Sequence, residues 1–517
     1  NQQEWRDRAM KTISRASRHA PPKAGAMVET LRGLGYSTAT AIADIIDNSI
    51  AAGAEHVDLR FVWKGPDSLV SIQDDGCGMD DIELDRAMRL GEKSPLESRS
   101  NSDLGRFGIG LKTASFSQCR RLTVASRKQD SDVGCLCWDL DILAASLDDG
   151  WHLLEGPEES SRDFLAPLSV SKKGTLVLWE RLDRIVTPSF REQDLLDLID
   201  VVERHLAMVF HRYLAGPNPV LSICLNGRPV APWDPFLSDH PATWSSPVVT
   251  LETNGGKIEM QGHVLPHKDR LAESEHDLAA GPDGWTAQQG FYVYRNRRLL
   301  VAGSWLGLGQ GRFWTKEEAH RLARIRLDIP NTADADWKID IRKSTARPPI
   351  QVRPILTKLA EDTRSRARRV FAHRGKVIRL GDSKPVAEVW RTEHFHGGMR
   401  YRIDFHHPAV KAVLEEAGSL TPQIKTMLRL IEETIPVQRI WLDTTEGRET
   451  PRTGFSGDPP DEVKSVLETL FCNMVSRKGL SPALAKERLL HTEPFHNYPD
   501  MVAALPEEIS TDAEARQ

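Results

Sequence analysis

Between Ala41 and Ala52 the chain reads AIADIIDNSIAA, and its apolar and polar positions separate at helical spacing. Ile42, Ile45 and Ile46 fall on one face, while Asp44 and Asn48, four apart, meet one turn above the other on a second. Ser37 or Thr38 can cap this helix and Gly53 closes it. Ahead of it, Met27 to Leu34 reads as a helix ending at Gly33 or Gly35. After it, Val57 to Trp63 alternates and Leu69 to Gln73 is a second strand, which predicts a hairpin. Helices follow at Asp80 to Leu90 and Leu111 to Phe116, and strands at Arg121 to Ser126, Gly134 to Leu140 and Gly174 to Trp179. Arg191 to Leu214 is a strong amphipathic helix, with Leu195, Leu198, Ile199, Val202, Leu206 and Phe210 recurring at three and four. Further strands are expected at Val220 to Leu225, before an Asn226-Gly227 turn, and at Lys257 to Val264, Gly290 to Arg295 and Ile325 to Ile329. Phe291 to Gly307 reads as strand, turn at Asn296, strand, and Ile350 to Phe371 as a long helix. Past residue 381 a short hairpin, Glu388 to Arg391 with Tyr401 to Phe405, precedes helices near Pro408 to Ala417, Pro422 to Thr434, Asp461 to Lys478 and Ala483 to Leu490. The fold class this predicts is α+β.

Composition narrows the function classes. At 517 residues the chain has room for several domains with cores, and 40% hydrophobic with 27% charged residues is ordinary globular usage. A net charge of -5 gives no global bias toward nucleic acid, so any basic surface is local. No run approaches the roughly 18 apolar residues that a membrane span needs. The first twenty residues are basic without an apolar core, so no secretory signal is read there. Cys77, Cys119, Cys135, Cys137, Cys224 and Cys472 show neither paired zinc spacing nor a dense disulfide framework, and a reducing cytoplasm is the expected home.

Candidate chemistry clusters in the first third. A carboxylate and a carboxamide stacked as Asp44 and Asn48 are can hold a water and a hydrated magnesium ion side by side, since magnesium takes oxygen ligands and keeps several waters. A solvated helix face carries the same pair equally well. The strand ending at Asp74 runs into Asp74-Asp75-Gly76-Cys77-Gly78-Met79, where two glycines let the backbone turn sharply against a ligand and Asp74 can accept from an exocyclic amine. A plain glycine turn would look alike. Gly91 to Asp103 is polar, rich in small residues and lid-like, and it leads into Leu104-Gly105-Arg106-Phe107-Gly108-Ile109-Gly110-Leu111-Lys112-Thr113. Glycine amides at a helix start bind phosphate oxygens, and Lys112 adds a positive charge in the first turn. The segment is neither the dinucleotide fingerprint nor a P-loop. Thr175, at the start of a later strand, can complete a base-binding end.

In this order and spacing the set resembles the GHKL, or Bergerat-fold, ATPases over roughly residues 25 to 190. The resemblance implies an α/β sandwich that binds ATP with Mg2+: Asn48 on magnesium, Asp74 on the adenine amine with Thr175 beside it, and Gly76, Gly78, Met79, Gly105, Gly108 and Gly110 shaping pocket and lid. The family's general base is usually Glu four residues before the Asn; here that position is Asp44, one methylene shorter, and a displacement of ~1 Å can cost on the order of 100-fold in rate. The family's Asp after the Asn is replaced by Ala51. The segment from Phe291 through RLARIRLDIPNTADADWKIDIRKSTARPP resembles the transducer domain of MORC and MutL-type proteins. In those families a transducer Lys reaches the γ-phosphate, which implies Lys343, with Lys338 as the alternative. The implied domains are a GHKL ATPase domain at 1–190, a transducer-like domain at 191–347, a basic helical linker at 348–380 and a helix-rich α+β interaction domain at 381–517.

From Arg342 to Arg379 twelve Lys/Arg stand against Glu361 and Asp362, a local balance of +10, densest in RSRARRVFAHRGK. Arg364, Arg366, Arg368 and Arg369 are therefore candidates for a salt-sensitive contact with duplex DNA, a solvated helix or an acidic protein partner being the other readings. His394, His396, His406 and His407 read as surface histidines around a turn rather than a metal cluster. The overall expectation is a MORC-like ATPase that dimerises on ATP and clamps DNA, with an operon-encoded protein partner, in a bacterial defence or restriction-type system. The alternatives are an ATP-held switch with negligible hydrolysis and a chaperone-like remodeller of a protein partner.

Overall fold

The computed structural model describes residues 22–33, 35–91, 110–145, 150–253, 256–331, 336–339, 345–372, 387–395, 398–440, 461–477 and 479–507. The chain divides into two compact units, residues 1–376 and 377–517.

In the first unit, helices α1 (Ala24–Arg32) and α2 (Thr38–Ala51) precede an antiparallel pair, β1 (His56–Val62) and β2 (Leu69–Asp74). Then come α3 (Asp81–Met88), α4 (Gly110–Phe116), β3 (Arg121–Arg127), β4 (Gly134–Asp139), α5 (Leu140–Ala145), β5 (Leu154–Glu155), α6 (Arg162–Val170) and β6 (Gly174–Glu180). Helix α7 (Glu192–Val209) leads to a small hairpin, β7 (Ser222–Leu225) and β8 (Arg228–Pro229), turned by Asn226 and Gly227, both at positive φ. The sheet runs β5-β4-β3-β6-β2-β1-β7-β8. Every pairing is antiparallel except β1 with β7. Burial of Ile42, Ile45 and Ile46, together with Val202 and Leu206 of α7, against Val57, Leu59, Val70 and Val124 seals one face. Leu165 and Leu168 of α6 cover Leu69, Leu176 and Leu178 on the other.

The hairpin at 222–229 was expected beyond a domain boundary at residue 190. Instead β7 extends the first sheet, Val57 lying opposite Ile223, and Trp233, Phe236, Tyr292 and Tyr294 join the same core. The predicted helix over 191–214 is broken at Phe210, after which His211–Leu214 forms its own turn.

A second sheet has the order β10 (Val249–Thr253), β11 (Gly256–Val264), β16 (Ala323–Ile329), β12 (Gly290–Arg295), β13 (Arg298–Ser304), with β9 (Trp244–Ser245) beside β11 and a separate pair, β14 (Gly309–Gln310) and β15 (Arg312–Phe313). The turn between β12 and β13 places Asn296 and Arg297 at positive φ, as the hairpin reading required. Helix α8 (Arg353–Ala372), read as a linker, packs instead on this sheet through Leu356, Ala360 and Ala367. A Cβ on Gly262 of β11 would collide with the Thr363 side chain, so the glycine lets the helix approach closely.

The second unit holds the antiparallel pair β17 (Trp390–Phe395) and β18 (Gly398–Ile403) and helices α9 (Pro408–Glu416), α10 (Thr421–Glu433), α11 (Asp461–Cys472) and α12 (Pro482–Leu490). Leu467, Leu470, Phe471, Leu489 and Phe495 centre its core. His407 is buried and its Nδ1 accepts from the Ala409 amide at the start of α9, which is a capping role. His406 is exposed beside Asp404. No group of three or more His, Cys, Asp or Glu that could hold a metal occurs among the described residues. The cysteines are free. Among the described residues no helix is long and apolar enough to cross a membrane.

Candidate functional site

Helix α2 is fixed at its start by a reciprocal cap: Ser37 Oγ accepts from the Thr40 amide at 3.2 Å, and the Ser37 amide donates to Thr40 Oγ1 at 3.0 Å. That cap sets which residues face the sheet. With the isoleucines inward, Asp44 and Asn48 share the flank beside α4, where Asp44 is only 6% exposed and Asn48 is open to solvent. Asp44 Oδ2 accepts from the Tyr36 hydroxyl at 3.0 Å. The first residue of α4 is also close: a Cβ on Gly110 would lie 4.0 Å from Asp44 Oδ2, in ordinary contact. Gly110, the first residue of α4, therefore lies beside the carboxylate.

The far end is built on β2. Asp74 lies opposite Thr175 of β6, and its carboxylate is half-buried. Asp74 Oδ2 accepts from Ser49 Oγ at 2.8 Å and Oδ1 from the Gly76 amide at 3.0 Å. Burial pushes the Asp74 carboxyl above its ordinary value, against these hydrogen bonds that favour the ionised form. Thr175 Oγ1 and Ser126 Oγ are 2.9 Å apart, and Ser126 Oγ also accepts from the Met79 amide at 2.9 Å. Gly78 is at φ +67, and a Cβ there would overlap the Arg127 carbonyl. Gly76 is held less tightly, a Cβ there lying 2.9 Å from the Ala52 Cβ. Ser49 and Asp74 thus lock the end of α2 to the end of β2, and one helix spans both halves of the site.

Several expected residues stand elsewhere. Lys112, expected as a free positive charge at the helix start, is 3% exposed and donates to the Ala87 carbonyl at 2.8 Å. Burial lowers its pKa to about 8. Gly105, Gly108, the lid-like segment at 92–103 and Lys343 lie outside the described residues. Lys338 is exposed at φ +49 between buried Trp337 and Ile339, so two anchors present it from a tight turn. Of the candidate phosphate-contacting arginines, Arg364 is buried, its guanidinium 4.6 Å from the Trp305 ring and 4.8 Å from that of Trp314. Arg366 lies 4.1 Å from the Trp244 ring, while Arg368 and Arg369 are exposed. A charge count along the helix does not distinguish a guanidinium taken up by distant tryptophans from one left to solvent.

The sequence reading missed Tyr36, Ser49, Ser126 and Arg298. Ser49 follows Asn48 directly and was within reach of the reading; Tyr36 and Ser126 carry no local signal. Arg298 of β13 pairs with Asp47 through Nε at 2.9 and 3.2 Å, both side chains being nearly inaccessible. This pair joins α2 to the second sheet.

A family model described as Histidine kinase-, DNA gyrase B-, and HSP90-like ATPase matches residues 36–175, the stretch that holds Tyr36, Asp44, Asn48, Asp74 and Thr175. The DNA mismatch repair protein MutL of Allorhizobium ampelinum is 37% identical over 94 residues, covering 18% of this chain and 15% of that protein. The MutL of Shewanella woodyi is 37% identical over 91 residues, or 17% and 15%. ATPase morc-1 of Caenorhabditis elegans is 29% identical over 89 residues, 17% of this chain and 10% of that protein. The chain thus spans under a fifth of the length of these relatives. The mixed α/β architecture, the motif geometry and these matches agree: residues 36–175 form an ATPase domain of the histidine kinase, gyrase B and HSP90-like (GHKL) family, on its MutL- and MORC-like side.

Proposed function

We propose that the first unit is a magnesium-dependent ATP switch whose hydrolysis is slow. Asp74 and Thr175 take the adenine edge, Asn48 takes magnesium, and Asp44 orients and deprotonates the attacking water. Magnesium, when bound, offsets phosphate charge and polarises the transferring phosphoryl group. The residues suit these ligands: Asn48 is exposed and carries an amide oxygen, and the Gly78 turn has no room for a side chain. The observation that carries the reading is the joining of both ends through one helix, Asp44 and Asn48 on its flank and Ser49 holding Asp74.

ATP would close two protomers through their first units, and a lysine from the second sheet's end would report the γ-phosphate. Lys343 is the assignment from resemblance; the anchored, exposed turn at Lys338 favours the alternative. Duplex DNA is the proposed cargo, with Arg368 and Arg369 as its contacts, and partner proteins supply any cutting. A place in a bacterial defence or restriction-type system rests on the MORC resemblance.

Steady-state phosphate release, with and without duplex DNA, tests this beside Asp44→Asn and Asn48→Ala. Turnover lost in both variants supports a working Asp base, and stimulation by DNA supports the clamp. Unchanged turnover in Asp44→Asn would remove Asp44 from the chemistry. Tight magnesium-dependent ATP binding without turnover would favour a second reading, the ATP-held switch, which the short Asp44 side chain itself suggests. Stimulation by a protein partner but not by DNA would favour remodelling.

A further inference from the structure

A cavity of about 810 Å³ lies between the start of α2, helix α7 and strand β13. Its floor is apolar, formed by Met208, Val209, Leu300 and Val301. Neutral residues such as Thr40, Ser304 and Phe313 line it too, and among them stand four cations, Arg298, Lys316, Arg347 and Arg353, while no Asp or Glu lines it among the described residues. Arg298 is committed to Asp47. The other three are exposed, and none forms an ion pair among the described residues. Arg353 Nε donates to the Pro348 carbonyl at 3.1 Å, and its terminal nitrogens make no hydrogen bond among the described residues. Lys316 donates to the Ala287 carbonyl, and among the described residues the carboxylate that acts on it is Asp283, which does not line the cavity.

Three cations gathered on one cavity repel one another, and no carboxylate among the described residues lines it to offset them. Arginine forks bind phosphate and carboxylate bidentately, and a ligand with more than one negative charge would satisfy the set. The volume falls within the range of small-molecule sites, and the apolar floor suits an organic body rather than an inorganic ion alone. We infer that this cavity is a second ligand site, separate from the Asp74 pocket, for a small phosphorylated molecule whose phosphates sit on Arg347, Arg353 and Lys316. Thr40, one turn before Asp44 on α2, lines the same cavity, so an occupant would touch the helix that carries the nucleotide site.

The test is calorimetric titration of the full chain with inorganic pyrophosphate. It is run on the wild type, on Asn48→Ala/Asp74→Asn to disable the ATP site, and on Arg347→Glu/Arg353→Glu, whose exposed positions leave the core untouched. The expected result is saturable binding that survives Asn48→Ala/Asp74→Asn and weakens about tenfold or more per arginine in the reversed variant. Binding that disappears with Asn48→Ala/Asp74→Asn and ignores the arginines belongs to the ATP site and overturns the inference. Absence of binding to every variant overturns it as well. If a short DNA duplex binds through Arg347 and Arg353 while pyrophosphate does not, the wall is a nucleic-acid contact and the small-ligand assignment fails.

Discussion

Gly53 and Gly78 allow the nucleotide loop to be tested against its own control. Both are in the left-handed region, at φ +70 and +67, but a Cβ on Gly53 meets nothing within 4 Å whereas one on Gly78 overlaps the Arg127 carbonyl and its carbon. Alanine at either site carries the same conformational cost, about 1–2 kcal/mol, partly offset by about 0.4–1 kcal/mol from the stiffer unfolded chain. Gly53→Ala should therefore cost about 0–1.6 kcal/mol. At Gly78 the colliding partner is backbone of β3, which cannot swing aside as a side chain would. An overpacking cost of about 1–3 kcal/mol is added. Moving the loop off β3 also breaks the bond from the Met79 amide to Ser126 Oγ, which ties the loop to Thr175. Urea unfolding should place Gly78→Ala below Gly53→Ala by that 1–3 kcal/mol increment. Fluorescent ATP-analogue binding should fall by about tenfold or more in Gly78→Ala and stay near wild type in Gly53→Ala, since about 1.4 kcal/mol is tenfold. Equal destabilisation by the two alanines would refute the packing argument. Equal affinity would refute the placement of the ligand against this turn.

Asp74→Asn should lose nucleotide binding yet be at least as stable as wild type at neutral pH, because burial raises the Asp74 pKa and the ionised form is the costly one. The folded pKa lies above the unfolded value of 3.8, so wild type gains stability relative to the variant as pH falls through the folded pKa, and thermal melts across that range check the sign. Lys112→Met tests the opposite case: with a folded pKa of about 8 against 10.5 unfolded, wild-type stability should rise between those pH values by on the order of 3 kcal/mol, and the variant should lack that rise in urea midpoints. Arg364→Ala should cost about 2 kcal/mol by removing the guanidinium from between Trp305 and Trp314. Arg368→Glu/Arg369→Glu should leave the unfolding midpoint within about 0.5 kcal/mol. The same double reversal should lower duplex affinity and its salt slope, measured by anisotropy at two salt concentrations, and an unchanged slope would remove α8 from the DNA contact.

What was legible in the sequence is what local pattern determines. The isoleucine stripe set the face of α2, Ser37 set its start, and Asn226-Gly227 and Asn296 set two turns. What was not legible depends on residues far apart in the chain. Nothing near Val57 announces that Ile223 will lie beside it, so the first sheet seemed to end before residue 190 when it takes in β7 and β8. The basic run at 364–369 was read as one patch because the tryptophans that take Arg364 lie 50 to 59 positions upstream. Lys112 was read as a ligand because it follows a glycine motif, although α4 turns it inward to the end of α3. Asp47 was passed over beside Asn48, its partner being in another sheet.

That last omission bears on how a nucleotide signal would leave the site. Asp44, Asp47 and Asn48 lie within four residues of one another on one helix, so a ligand gripping Asp44 and Asn48 acts on the rigid body that also holds Arg298. Separating a buried ion pair costs about 3–5 kcal/mol, whereas coupling between sites is commonly about 1–3 kcal/mol. A nucleotide-driven change of that size would leave Asp47 and Arg298 together. The Arg298 guanidinium is 5.1 Å from the Phe210 ring, at the break that follows α7, so its other side is held as well. Any tilt of α2 must then carry β13 with it, and the hairpin with Asn296 at its tip follows the strand. The pair thus acts as a strut between the nucleotide helix and the second sheet.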